Sequence, residues 1–125
     1  MAKIDKKKLA QKQWLFFYLI LQSSMKESEI SQTELYGPIT SCWFHHIYPK
    51  SKYPELRFCI ENIILVTKEE HDQIEAGVVF KEVEQKKKYI AEHYDELLES
   101  TNAYLKEFLD PVFEHALKTN FFKKH

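Results

Sequence analysis

Hydrophobic and polar positions divide this chain into segments of different period. An apolar run, Trp14-Leu15-Phe16-Phe17-Tyr18-Leu19-Ile20-Leu21, follows a lysine-rich start. It predicts a buried helix over about residues 5–24 with its lysines facing solvent. Lys26 to Glu34 is polar and leads to Tyr36-Gly37-Pro38, a turn signal. Ser41 to Ile47 carries β-branched and aromatic residues at strand length and ends at a histidine doublet. Tyr48 to Cys59, with Pro49 and Pro54, predicts an extended loop, and the apolar Asn62 to Val66 a second short strand. Thr67-Lys68-Glu69-Glu70 has the form of a capping box, and Gly77 stands where the helix it starts should end.

Beyond Val78 the period is helical again. Val83, Ile90, Leu97 and Tyr104 recur every seven residues, with Tyr94, Thr101 and Phe108 between them. Such a stripe needs a helical partner, either the first helix or another subunit, so a homo-oligomer or partner helix through residues 83–108 is expected. Asp110-Pro111 resembles an N-cap followed by proline at the first helical position and predicts a break there. A short helix and a basic, aromatic tail, Phe121 to His125, follow. Only two glycines and four prolines interrupt the chain, which favours long regular elements. The expected class is α+β and mostly helical, as a single domain over 1–125.

Composition narrows the functions open to it. With 44% hydrophobic residues the 125-residue chain can bury a real core. The net charge of −1 provides no global basic field, so any phosphate affinity must come from a local patch. Cys42 and Cys59 form no CxxC pair and are simplest as buried, reduced thiols, which suggests a cytoplasmic setting. The apolar run of eight residues falls short of the roughly 20 that span a bilayer. It ends in Gln22-Ser23-Ser24 without a small-residue cleavage site, so neither a membrane segment nor a signal peptide is expected.

The candidate chemistry lies at His45-His46, with Asn62 sixteen residues after the doublet and His71 nine residues further on. Adjacent residues of a strand point to opposite sides. One ring can therefore ligate a metal while the other faces a water. His71 on the following helix could complete a metal site, and Glu75, four residues later on the same face, could add a carboxylate. Phosphodiester hydrolysis needs such a set: a base for water and a cation for the developing charge. Lys50, Lys52 and Arg57, the only arginine, fall in the loop between the strands and are candidates for phosphate contact. Trp14, Phe16, Phe17 and Trp43 are expected in the core, and His93, His115 and His125 at the surface.

From His45-His46-Ile47-Tyr48-Pro49-Lys50-Ser51 through Asn62 to Thr67-Lys68-Glu69-Glu70-His71, the chain resembles the HNH endonuclease motif, or ββα-metal finger. The nearest form is the phage-type variant. The resemblance covers about Cys42 to Glu75, roughly a quarter of the chain. It implies a ββα-metal core at about 42–77, flanked by helices at about 5–24 and 78–119. It further implies His45 and His71 as metal ligands, His46 as general base, and Asn62 as the residue that ties the strands together and orients His46. The partner implied is DNA, in a host cytoplasm if the protein is phage-encoded. Many relatives carry a histidine where this chain has Glu75. A carboxylate there favours one Mg²⁺ or Mn²⁺ ion, with Zn²⁺ or Ni²⁺ possible. The two CxxC pairs that bind a structural zinc in many members are missing. A degenerate HNH fold, acting as a non-catalytic nucleic-acid-binding or interaction protein, is the alternative.

Overall fold

In a computed structural model, residues 5–124 are described. The order is α1 (Lys6–Gln22), β1 (Phe44–His46), β2 (Ile63–Leu65), α2 (Lys68–Glu75), α3 (Lys81–Glu92), α4 (Tyr94–Tyr104), a π-helical turn (Leu105–Leu109), α5 (Asp110–Lys118) and α6 (Phe121–Lys124). The class is α+β and mostly helical, with 62% of the described residues in helices and, among them, one two-stranded sheet. His125 lies outside the described residues.

The strands pair antiparallel, Phe44 with Leu65, His45 with Ile64 and His46 with Ile63. Both are shorter than the sequence pattern suggests. Ser41–Trp43 forms a 3₁₀ turn, in which the Thr40 side chain accepts from the Cys42 N–H and the Thr40 carbonyl from the Trp43 N–H. A second such turn, Ile60–Asn62, takes Asn62 out of β2. The expected loop between them also contains a 3₁₀ turn, Pro54–Leu56.

Strand alternation splits the sheet between two cores. Phe44, Ile63 and Leu65 belong to one cluster, with Leu15, Phe16, Phe17 and Leu21 of α1 and Leu109, Phe113 and Ala116 of the C-terminal helix. Phe17 stacks on Phe44 with ring centroids 4.3 Å apart. On the other face Ile47, Ile64 and Val66 meet Val83, Ile90 and Leu97. Helices thus cover both faces, which is why β2 is apolar throughout instead of alternating.

The seven-residue stripe meets this second core. Val83, Ile90, Leu97 and Thr101 are buried within the chain, Tyr104 packs on Phe16, and Phe108 is left 45% exposed. The partner is therefore the sheet over Val83 to Leu97, and α1 meets the stripe only at Tyr104. The expected break at Asp110-Pro111 is also displaced. The chain kinks at His93 (φ −120°, ψ 24°), whose Nδ1 hydrogen-bonds the Tyr89 carbonyl and whose ring stacks on Tyr89. His93 is accordingly half-buried, and His115 is exposed. At Pro111 the helix continues, because the wide π turn before it relieves the clash a proline ring makes with the carbonyl four residues back. Asp110 pairs with Lys12 of α1 and caps nothing.

Phe16 is fully buried and touches Phe17, Phe58 and Tyr104. Phe16→Ala should lower the unfolding free energy by about 3–5 kcal/mol. Phe108→Ala should change it by less than about 1 kcal/mol. Urea denaturation of both variants checks this, and equal effects would contradict the packing described.

Candidate functional site

The short helix α2 is fixed at both ends. Thr67 Oγ1 accepts from the Glu70 N–H, and Glu70 Oε1 accepts from the Thr67 N–H. At the other end Val78 N–H reaches the Gln73 carbonyl and Gly77 N–H the Ile74 carbonyl, a Schellman closure. Gly77 sits at φ +97°, a left-handed conformation that a side chain disfavours. Glu70 is itself buried, and the Ser28 hydroxyl donates to its Oε1 over 2.6 Å. That bond anchors the loop after α1 to the start of α2, and no local pattern around Ser28 announces it.

Helical spacing then sets His71 and Glu75 on one face, opposite β1. His45 and His71 rings meet at 5.6 Å between centroids. Glu75 Oε1 is 3.9 Å from His45 Nδ1 and 4.0 Å from His71 Nε2. One potential ligand atom from each of the three lies within 4.8 Å of the others. Ligand atoms about 2.1 Å from one ion are at most about 4.2 Å apart. Both Glu75 separations already fall within that limit, so any remainder lies between the two imidazoles, which would draw together to share an ion. Burial, together with the neighbouring His71, lowers the His45 pKa, and Glu75 opposes this. A neutral imidazole is the form that ligates metal. His71 Nδ1 is, among the described residues, the one buried side-chain polar atom without a hydrogen-bond partner. It is the second nitrogen of the ring, since Nε2 is the one that faces Glu75.

His46 points the other way, toward α1, its ring 5.9 Å from Phe17. Its Nε2 lies 3.0 Å from the Arg57 carbonyl. A carbonyl only accepts, so in the neutral ring the proton sits on Nε2 and the lone pair on Nδ1. The pKa of His46 is lowered from 6.5 to about 4, first by burial, with the charges of Lys50, Arg57 and His45 adding to it against the Arg57 carbonyl bond. At neutral pH the ring is therefore an unprotonated base.

Asn62 is fully buried. Its Oδ1 accepts from Tyr48 N–H at 2.8 Å, and its Nδ2 donates to the Tyr48 carbonyl at 3.0 Å and the Leu56 carbonyl at 3.2 Å. Its own carbonyl accepts from Ile47 N–H. It does join the strands as expected, but its side-chain hydrogen bonds go to Tyr48 and Leu56 and not to the His46 ring. Orientation of that ring comes instead from Arg57, the residue after the carbonyl that Asn62 holds.

His45, His46, His71 and Glu75 line one cleft of about 390 Å³ with Gln13, Phe17, Ser41, Pro49, Lys50 and Ser51. Of the three loop cations only Lys50 lines it. Arg57 lies behind, its Nε donating to Gln13 Oε1 at 2.8 Å and its guanidinium over the Phe58 ring. Lys52 is exposed and outside the cleft lining. Gln13, which also accepts from Lys50 Nζ, is the cleft residue that sequence reasoning overlooks. It carries no motif and reaches the site through α1. Cys59 is buried as expected and Cys42 only half-buried, and neither lines the cleft.

In the metal-free protein the His46 ring should titrate near 4, readable from its imidazole proton shifts by NMR. Its folded pKa lies below the unfolded value, so the unfolded chain binds the proton first. This group should make stability fall as pH drops from about 6.5 to about 4 and add no slope outside that window. A midpoint near 6.5 would show that the ring is solvated and not held on the Arg57 carbonyl.

No family model matches the chain, and neither a curated protein nor a solved structure matches it significantly. What the site does is read from its own residues.

Proposed function

We propose that this protein is a metal-dependent endonuclease of the HNH type that hydrolyses phosphodiester bonds in DNA. One observation carries the proposal: three ligand-type groups, His45, His71 and Glu75, converge in the cleft that an unprotonated His46 also lines. One divalent ion held by these three groups would supply Lewis-acid charge to the scissile phosphate and its leaving oxygen. Glu75 tips the choice toward Mg²⁺ or Mn²⁺.

The chain's own residues supply the rest. His46 Nδ1 accepts a proton from water, whose oxygen attacks phosphorus as the bond to the 3′-oxygen breaks. Nε2 keeps its proton and donates it to the Arg57 carbonyl, which fixes the tautomer and stabilises the imidazolium formed in the step. Lys50, within the cleft lining, offsets charge on the non-bridging oxygens. Asn62 keeps the loop closed so that base and ligands hold their relative positions.

The wild-type protein should nick supercoiled plasmid with Mg²⁺, Mn²⁺ or Ni²⁺. His46→Ala should lower the rate by about 10²–10⁴-fold while still binding Mn²⁺ in a calorimeter. His45→Ala and His71→Ala should lose the ion itself. Should the wild type bind duplex but nick nothing with any of these ions, the chain is a non-catalytic nucleic-acid-binding module instead. Glu75→His should move the preferred ion from Mg²⁺ or Mn²⁺ toward Ni²⁺ or Zn²⁺, and an unchanged preference would remove Glu75 from the ligand set.

A further inference from the structure

Helix α1 enters the cleft with Gln13 and Phe17. Seven residues before Gln13 the helix has turned through about 700°, so Lys6 lies within about 20° of the same face and ~10.5 Å along the axis. Lys7 and Lys8 follow in the same turn, about 100° and 200° round the helix from Lys6. All three are exposed, and among the described residues none is paired with an acid, whereas Lys12 is taken by Asp110. Asp5, the nearby acid, points its Oδ1 at the N–H groups of Lys7 and Lys8 as the helix cap.

Cations in a first turn oppose the helix dipole. The same chain places acids there elsewhere: Glu69 and Glu70 in α2, Glu82 and Glu84 in α3, Asp95 and Glu96 in α4. In α1 there are none. Charge is divided to match. Residues 1–60 carry nine Lys and Arg against five Asp and Glu, and residues 61–125 carry nine against fourteen. Three lysines that oppose their own helix suggest an external anion. Gln13 joins them to the cleft, because its Oε1 accepts from both Lys50 and Arg57.

We propose that the first turn of α1 is a second phosphate-contacting element, which with Lys50 forms a track for the backbone of duplex DNA running into the cleft. This rests on the nuclease reading only in taking the cleft as the place where DNA is bound. The ~10.5 Å between Lys6 and Gln13 corresponds to about three base steps at 3.4 Å each. The observations favour duplex over an anionic membrane. A membrane-surface helix sets large apolar side chains beside its lysines, and here the nearest, Leu9, packs against the core.

The test compares wild type with the triple variant Lys6→Gln, Lys7→Gln, Lys8→Gln. Fluorescence anisotropy with a duplex of about 20 base pairs, in chelator and over a range of salt, reads the contacts without catalysis. The triple variant should bind about tenfold more weakly at low salt, and the slope of log affinity against log salt should shrink by about 1–2. Its Tm should equal or exceed the wild type's, which shows that it folds and that the lysines oppose the helix. An unchanged slope overturns the proposal, even if the wild type nicks plasmid. A reduced slope in a wild-type background that never nicks leaves the track standing and removes the nuclease reading alone. Loss of binding to phosphatidylserine vesicles with duplex binding unchanged would assign the lysines to lipid and also overturn it.

Discussion

The buried amide of Asn62 is the interaction on which the hairpin depends. Strands of three residues cannot hold themselves together, and the connection between them is long. Asn62 closes it by returning both hydrogen bonds of the Tyr48 backbone and taking the Leu56 carbonyl as well. The Leu56 carbonyl would otherwise be a buried orphan, at about 1–3 kcal/mol, and the two part-buried Tyr48 groups would be left to solvent. The clamp also determines where the next carbonyl, that of Arg57, is presented, and so which nitrogen of His46 carries the proton. Structure and candidate chemistry share one side chain.

The hairpin lies between two hydrophobic clusters, and the histidine doublet straddles it. Strand alternation sends His46 to the α1 side and His45 to the α2 side. Two neighbouring residues of one type thereby enter different environments. One ring is desolvated against Phe17 and held on a backbone carbonyl, and the other faces His71 and a carboxylate. The separation of roles follows from the pleat and needs no special local geometry.

Local signals were legible in the sequence where the determinant is itself local. The capping box at Thr67, the closure at Gly77 and the i, i+4 relation of His71 and Glu75 are set within one helix, and the structure has them where the pattern predicts. Features fixed by distant groups were not. The stripe through Val83, Ile90 and Leu97 announces a buried face but not that a sheet covers it. Pro111 reads as a helix stop, and only the π turn before it lets the helix run on. Arg57 and Lys52 share a loop with Lys50, yet α1 draws Arg57 behind the cleft and Lys52 stays outside the lining. Gln13 and Ser28 were invisible because their partners lie 44 and 42 residues away.

The two-sided packing of the sheet has a consequence for partly folded chains. His46 is seated by the cluster that α1 forms, whereas the cluster beneath α3 and α4 supports the face that carries His45. A chain in which only one cluster has condensed holds a base without its ligands, or ligands without their base. Completion of the cleft is therefore a coincidence signal for completion of the fold, and an intermediate on either route presents half a site.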